Sequence, residues 1–122
     1  MTDLKKKILI VDDDESLRKS TAIILKVKGY EVLEAEDGMM GLDMTQAHRP
    51  QLVITDVYMP GMNGFMLAES IRSDAALKDT KIIMMTSAAQ AAGAWKSEQD
   101  VTYLDKGFSL PDLVELVSKI LS

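Results

Sequence analysis

The chain has 122 residues, 47% hydrophobic and 27% charged, which is the balance of one folded domain and not of a disordered segment. It has no cysteine and one histidine, which excludes disulfides, thiolate metal sites, cysteine nucleophiles and multi-histidine metal sites. The net charge of −5 argues against nonspecific binding to nucleic acid. No apolar run is long enough for a membrane helix or a secretory signal, so we expect a cytoplasmic protein without membrane insertion.

Short apolar runs alternate along the chain with longer segments of helical periodicity. In chain order, the predicted elements are strand Ile8–Val11, helix Ser16–Lys28, strand Tyr30–Ala35, helix Met39–Ala47, strand Gln51–Thr55, helix Gly64–Ser73, strand Ile82–Met85, strand Val101–Leu104 and helix Ser109–Leu121. Composition also favours a helix over Ala88–Ala94, although Gly93 weakens it. Ser109 and Asp112 have the spacing of a helix-capping box, with aspartate in place of glutamate. Alternating strands and helices predict an α/β fold with a parallel sheet and helices on both faces.

Polar residues follow the predicted strands. Because ligands of an open parallel sheet bind outside the carboxyl ends of its strands, these residues are expected to meet at one edge. They are Asp12 and Asp13 after the first strand, Asp56 after the third, Thr86 after the fourth and Lys106 after the fifth. Each alone has an ordinary interpretation, since acidic runs are often solvated loops or helix N-termini and an aspartate after a strand is often a turn residue. The joint pattern is much more specific than any of its parts.

The acidic residues need a counter-charge. Two carboxylates about 4 Å apart repel by ~1 kcal/mol in water and ~4 kcal/mol at an effective dielectric near 20. Oxygen ligands without histidine or cysteine favour Mg²⁺, with Mn²⁺ as the alternative, over zinc. Such a cation would attract phosphoryl oxygens, to which Lys106 offers a point charge and Thr86 a hydrogen bond. The set suits phosphoryl transfer, in which catalysis is mostly positioning and charge neutralisation.

Four segments resemble the receiver domain of two-component response regulators, in particular the stand-alone chemotaxis response regulators. They are Ile8–Asp14, Ile54–Gly64, Ile82–Ala88 and Tyr103–Lys106, of which the Asp-x-x-Met-Pro-x-Met-x-Gly stretch beginning at Asp56 is the most specific. The resemblance covers the whole chain. It implies a flavodoxin-like three-layer α/β/α sandwich with five helices and a five-stranded parallel sheet of order 2-1-3-4-5.

The same resemblance implies a role for each site residue. Asp56 would accept a phosphoryl group from a sensor histidine kinase or a phosphotransfer protein. The metal ligands would be Asp12, Asp13, Asp56 and the backbone carbonyl of Tyr58, with Asp13 the better candidate than Asp12 for direct contact. Thr86 and Lys106 would bind the phosphoryl oxygens.

The resemblance also implies the output. Thr86 and Tyr103 would form a switch that changes the face made by helix 4, strand 5 and helix 5, where a downstream protein binds. Residues 1–122 would be a single receiver domain without an output domain, so the output would be binding and not contact with nucleic acid. The chain would not be an enzyme, beyond assisting its own phosphorylation and autodephosphorylation.

Two features depart from the family pattern. Gly107 follows Lys106, where the family usually has a proline in a cis peptide, so the exact pose of Lys106 is open. The distance of 20 residues from Thr86 to Lys106 is also short, which suggests a short, shifted or partly unwound helix 4.

Two alternatives remain. Asp12-x-Asp14 after a first strand also fits the haloacid dehalogenase-type phosphatases, with Asp12 as nucleophile, although the chain is too short for a cap. A pseudo-receiver whose Asp56 site no longer switches is the other.

Overall fold

The computed structural model describes residues 5–86 and 101–122 of the chain. Its elements, in order, are β1 (Lys7–Val11), α1 (Glu15–Val27), β2 (Glu31–Ala35), α2 (Gly38–His48), β3 (Leu52–Asp56), α3 (Gly64–Ser73), a 3₁₀ turn (Ala75–Leu77), β4 (Lys81–Thr86), β5 (Val101–Asp105) and the C-terminal helix (Leu110–Leu121). The helix predicted over Ala88–Ala94 lies outside the described residues. Within the described ranges, no helix is long and apolar enough to cross a membrane.

The five strands form one parallel sheet in the order β2-β1-β3-β4-β5, which confirms the predicted topology. β1 and β3 are central neighbours, with Val11 paired to Thr55, and β4 and β5 follow on one side. The carboxyl ends of β1, β3 and β4 therefore lie next to one another at a single edge. This is the edge at which a parallel sheet binds ligands.

Successive strand residues point to opposite faces of the sheet and pack into two separate cores. Ile8 and Ile10 of β1 lie in one core with residues of α1 and the C-terminal helix, such as Leu25 and Val117. The intervening Leu9 and Val11 lie in the other core, with residues of α3. Because both faces are covered, the central strands β1, β3 and β4 are mostly apolar, with polar residues at their ends. The predicted three-layer α/β/α sandwich is confirmed.

Each helix begins just after a residue whose side chain accepts a hydrogen bond from a free backbone N–H of the first turn. These capping residues are Asp14, Asp37, Asn63 and Ser109. The N–H of Asp112 donates to Oγ of Ser109 at 3.2 Å, which is one of the two bonds of the predicted capping box. Asp14 therefore has a structural role of its own at the start of α1.

The predicted ends of the elements differ from the observed ones by about a residue. Asp56 was expected to follow the third strand, but it is the last residue of β3. The reason is that it still pairs with Met85 of β4, and the next N–H, that of Val57, donates to the Met85 carbonyl at 3.2 Å. Thr86 is likewise the last residue of β4, whereas Lys106 follows β5 as predicted.

Candidate functional site

Three aspartates meet at the carboxyl edge of the sheet. Asp12 directly follows β1 and Asp56 ends the neighbouring β3, so their side chains are brought together by strand pairing. One carboxylate oxygen from each of Asp12, Asp13 and Asp56 lies within 4.8 Å of the others. Asp12 and Asp56 are buried, and Asp13 is exposed. At such separations the three carboxylates repel one another, most strongly between the buried Asp12 and Asp56, where solvent screens the charges least.

Two buried oxygens of this cluster have no hydrogen-bond partner within residues 5–86 and 101–122: Oδ2 of Asp12 and Oδ1 of Asp56. An unpaired buried carboxylate oxygen is costly, and a divalent cation would satisfy both atoms and cancel the repulsion. The donor set is oxygen alone, which suits Mg²⁺ or Mn²⁺. The acidic pocket is therefore fit to hold a metal ion. The part assigned to the Tyr58 carbonyl stays a prediction.

The pKa of Asp12 is raised from 3.8 to about 6. Burial is the largest cause, and the charges of Asp56 and Asp13 add to it. The backbone hydrogen bond from Asp14 and the charge of Lys106 act in the opposite direction and only partly offset the rise. Asp12 is thus a carboxylate at neutral pH, but one held in an environment that disfavours its charge.

Lys106 reaches the aspartates from the loop after β5. Its Nζ donates to Oδ2 of Asp56 at 3.0 Å, while 42% of its side chain stays exposed. Burial lowers the pKa of Lys106, but the hydrogen bond to Asp56 and the charges of the aspartates outweigh it, and the pKa is raised. The ammonium therefore stays protonated at neutral pH and binds one oxygen of Asp56, leaving the other open.

Lys106 reaches Asp56 although a glycine, Gly107, follows it in place of the proline usual in the family. Every peptide bond within the described ranges is trans, that between Lys106 and Gly107 included. The loop is held instead by Asp105, whose Oδ1 accepts from the N–H of Gly107 at 2.7 Å and whose carbonyl accepts from Phe108 at 2.9 Å. The N–H of Lys106 donates to the Thr86 carbonyl at 3.0 Å, which fixes the loop to the end of β4. These bonds direct Lys106 to Asp56 without a proline.

Thr86 and Tyr103 lie on the same face of the sheet. Tyr103 pairs with Met84, and Thr86 is two residues further along β4, so all three side chains point to the α2–α3 side. Thr86 is buried, and Tyr103 is partly buried against the apolar core there. Thr86 ends β4 at the edge that carries Asp56, whereas Tyr103 lies two register positions further from that edge on the same face. Their part in a switch stays a prediction.

The loop between Asp56 and α3 depends on two glycines. Gly61 has a φ of +77°, which glycine adopts without strain. A Cβ on Gly64 would lie 2.3 Å from the carbonyl oxygen of Asp56. The N–H of Gly64 donates to the carbonyl oxygen of Val57 at 2.7 Å. Sequence reasoning quoted Gly64 only as part of a motif and missed this close approach. The sequence carries no specific signal for it, because the close approach depends on how the loop returns to the end of β3.

Comparison with known proteins agrees with this geometry. The profile of the response regulator receiver domain matches residues 8–118. The chain belongs to this family. The match covers both the acidic pocket and the loop that carries Lys106, and it makes this a receiver domain of two-component signalling.

The receiver resembles proteins of different lengths. It is 26% identical over 120 residues to the polar-differentiation response regulator DivK of Brucella anthropi, covering 97% of this chain and 98% of DivK. It is 40% identical over 88 residues to the probable transcriptional regulator ycf27 of Cyanophora paradoxa, covering 72% of this chain but only 36% of that relative. Among solved structures, the chemotaxis response regulator CheY4 of Vibrio cholerae superposes with a TM-score of 0.88 at 30% identity, covering 96% of this chain and 99% of CheY4.

Proposed function

We propose that Asp56 is the phosphoacceptor of this receiver and takes a phosphoryl group from a phosphohistidine of a sensor histidine kinase or a phosphotransfer protein. The observation that carries the proposal is the state of its carboxylate. Oδ2 is bound by Lys106 and Oδ1 has no partner within the described residues, beside two further aspartates. Lys106 therefore orients the carboxylate while one oxygen stays open, so that one oxygen can bind a cation and the other can act as the nucleophile.

Asp12, Asp13, Asp56 and the Tyr58 carbonyl would hold Mg²⁺, or Mn²⁺ in its place. Bound there, the ion supplies positive charge for the transferring phosphoryl oxygens. The unpaired oxygens of Asp12 and Asp56 support this assignment. The chain has no cysteine, and its one histidine, His48, ends α2, so the acidic cluster itself offers only oxygen ligands.

In the transfer, the Asp56 oxygen that does not bind the cation forms a bond to phosphorus as the bond to the donor imidazole nitrogen breaks, and that electron pair stays with the imidazole. Lys106 and the Thr86 hydroxyl would bind the phosphoryl oxygens. Lys106 is suited to this because its flexible ammonium already lies 3.0 Å from Asp56. The aspartyl phosphate is later hydrolysed, and the chain assists only these two reactions on itself.

The phosphoryl group on Asp56 would change how the receiver binds a downstream protein. It adds close to two negative charges at the edge of β3, and Thr86 moving toward it would leave room that Tyr103 fills. The face formed by β5, the C-terminal helix and helix 4, which is the helix predicted over Ala88–Ala94, would then bind a downstream protein. We further propose that residues 1–122 form a single receiver domain that works in the cytoplasm and does not itself contact nucleic acid.

A phosphoryl analogue tests the proposal. The chain is treated with beryllofluoride and Mg²⁺, and with acetyl phosphate, and adducts are followed by ¹⁹F NMR and intact mass. We expect an adduct with wild type and with the exposed control Asp43→Asn, but none with Asp56→Asn. An adduct that persists in Asp56→Asn and is lost in Asp12→Asn would support the phosphatase alternative. An adduct that forms without any change in the signals of Tyr103 would support the pseudo-receiver.

A further inference from the structure

Arg18 connects α1 to the main chain of the acidic pocket. Its Nη1 donates to the backbone carbonyl of Asp12 at 2.8 Å, and its Nε donates to Oε1 of Glu34 on β2 at 3.1 Å. Only 11% of the Arg18 side chain is exposed, and 20% of that of Glu34. The planar guanidinium makes both bonds at once because its donors form a rigid fork, which an ammonium lacks.

Asp12 is held at each of its polar groups but one. Its N–H donates to the Ala35 carbonyl at 3.1 Å, its carbonyl accepts from Arg18, and its Oδ1 accepts from the N–H of Asp14 at 2.9 Å. Oδ2 is the atom without a partner within the described residues. Arg18 thus supplies one of the three bonds that fix Asp12 while its remaining oxygen stays open. Removing Arg18 leaves a buried carbonyl unpaired and lets this segment shift.

The positive charge of Arg18 does not explain its place. A cation beside a cation site is electrostatically unfavourable, and its charge is met by Glu34 and not by Asp12. Lys19, the next residue of α1, also lies 3.3 Å from Glu34 but makes no described contact with Asp12. Within the described residues, Arg18 differs from Lys19 by its bond to the Asp12 carbonyl and by its burial, since 55% of the Lys19 side chain is exposed.

We propose that Arg18, oriented by Glu34, is a positioning residue for the divalent cation site. It holds the main chain of Asp12 so that the open carboxylate oxygen faces a bound ion. The inference rests on the proposed function, since it requires the pocket to bind Mg²⁺. It adds a residue that touches neither the ion nor the phosphoryl group.

The test is Mg²⁺ affinity, measured on the full chain by calorimetric titration and by the NMR shifts of the Asp12–Asp14 amides. Arg18→Met is expected to weaken binding by about 10-fold or more, as loss of a partner behind a metal ligand commonly does. Loss of a positive charge alone would tighten binding, so the sign of the change separates position from charge. Arg18→Lys keeps the positive charge but lacks the forked donors of a guanidinium, and it is expected to bind Mg²⁺ as weakly as Arg18→Met does. Lys19→Met is the matched control and is expected to bind like wild type or more tightly.

The outcomes distinguish this inference from the proposed function. If wild type binds Mg²⁺ and folded Arg18→Met binds as tightly or more tightly, the positioning role is overturned and the proposed function stands. If wild type does not bind Mg²⁺, both fail. Should Arg18→Met not fold, Glu34→Leu removes the group that orients Arg18 and is expected to weaken binding in the same direction. An unchanged affinity in that variant overturns the inference.

Discussion

Lys106 and Asp56 form an ion pair across the edge of the sheet, with Nζ 3.0 Å from Oδ2. The two residues come from β3 and from the loop after β5, and β4 lies between those strands. Asp56 is nearly buried in the pair, with 6% of its side chain exposed, whereas Lys106 is not. The contact therefore joins a desolvated anion to a cation that remains free to move toward a new partner.

Replacing Lys106 with methionine removes the cation nearest to Asp56. In Mg²⁺-free buffer at pH 7, we expect the free energy of unfolding to fall by about 1 kcal/mol, a small value because the lysine is partly exposed and screened by solvent. Urea denaturation measures this change. Millimolar Mg²⁺ should restore part of the loss. The exposed Lys78→Met is the control, and an equal effect in both variants would contradict a specific role of the pair.

Replacing Asp12 with asparagine should stabilise the metal-free protein at neutral pH. Because the folded pKa of Asp12, about 6, lies above 3.8, the folded state binds the proton more tightly than the unfolded chain. The contribution of Asp12 to the free energy of unfolding is complete below about pH 4, declines as the pH rises and is lost above about pH 6. The variant lacks this decline, so its advantage over wild type should grow by about 2–3 kcal/mol between pH 4 and pH 7.

Urea unfolding at pH 4, 5, 6 and 7.5 without Mg²⁺ measures this advantage. Asp43→Asn, which removes an exposed carboxylate of α2, is the control. Saturating Mg²⁺ should stabilise wild type more than Asp12→Asn and reduce the gap. A difference that stays flat with pH for Asp12→Asn would show that burial does not raise its pKa.

Much of the fold follows from the pattern of apolar residues. The continuous apolar runs Ile8–Val11 and Ile82–Met85 predict strands that are covered on both faces of the sheet, and both runs are buried. The ends of strands are less predictable, since they depend on pairing with a neighbour. Asp56 stays in β3 because Met85 of β4 lies opposite, a contact between residues far apart in sequence.

In the candidate site, too, some residues could be predicted from the sequence and others depend on contacts between distant segments. Asp12, Asp13, Asp56 and Lys106 were predictable because topology alone brings the carboxyl ends of their strands together. Arg18 and Glu34 were not, since an arginine on a predicted helix and a glutamate in a predicted strand are common on any surface. Only the packing of α1 against β2 places them behind Asp12.

Gly64 is a position where a single methyl group should disturb the site. An added Cβ would meet the backbone of Asp56 at 2.3 Å and of Val57 at 3.0 Å, and backbone atoms do not move aside as a flexible side chain does. We expect Gly64→Ala to lower the free energy of unfolding by about 2–3 kcal/mol and to weaken beryllofluoride binding. Gly61→Ala, in the same loop, meets open space and has only backbone strain, about 1 kcal/mol. Similar losses in the two variants would contradict the close-approach argument.

Tyr103 has a buried hydroxyl without a hydrogen-bond partner in the part of the chain that the structure describes. Burying such a group costs free energy, and burial also raises the pKa of Tyr103. Tyr103→Phe keeps the ring against the core and removes the unpaired oxygen, so we expect the free energy of unfolding to rise by about 1 kcal/mol. Tyr30→Phe should leave it within about 0.5 kcal/mol of wild type. A loss of stability in Tyr103→Phe, measured by urea denaturation at pH 7, would mean that the hydroxyl is bonded in solution and that the ring is anchored by more than packing.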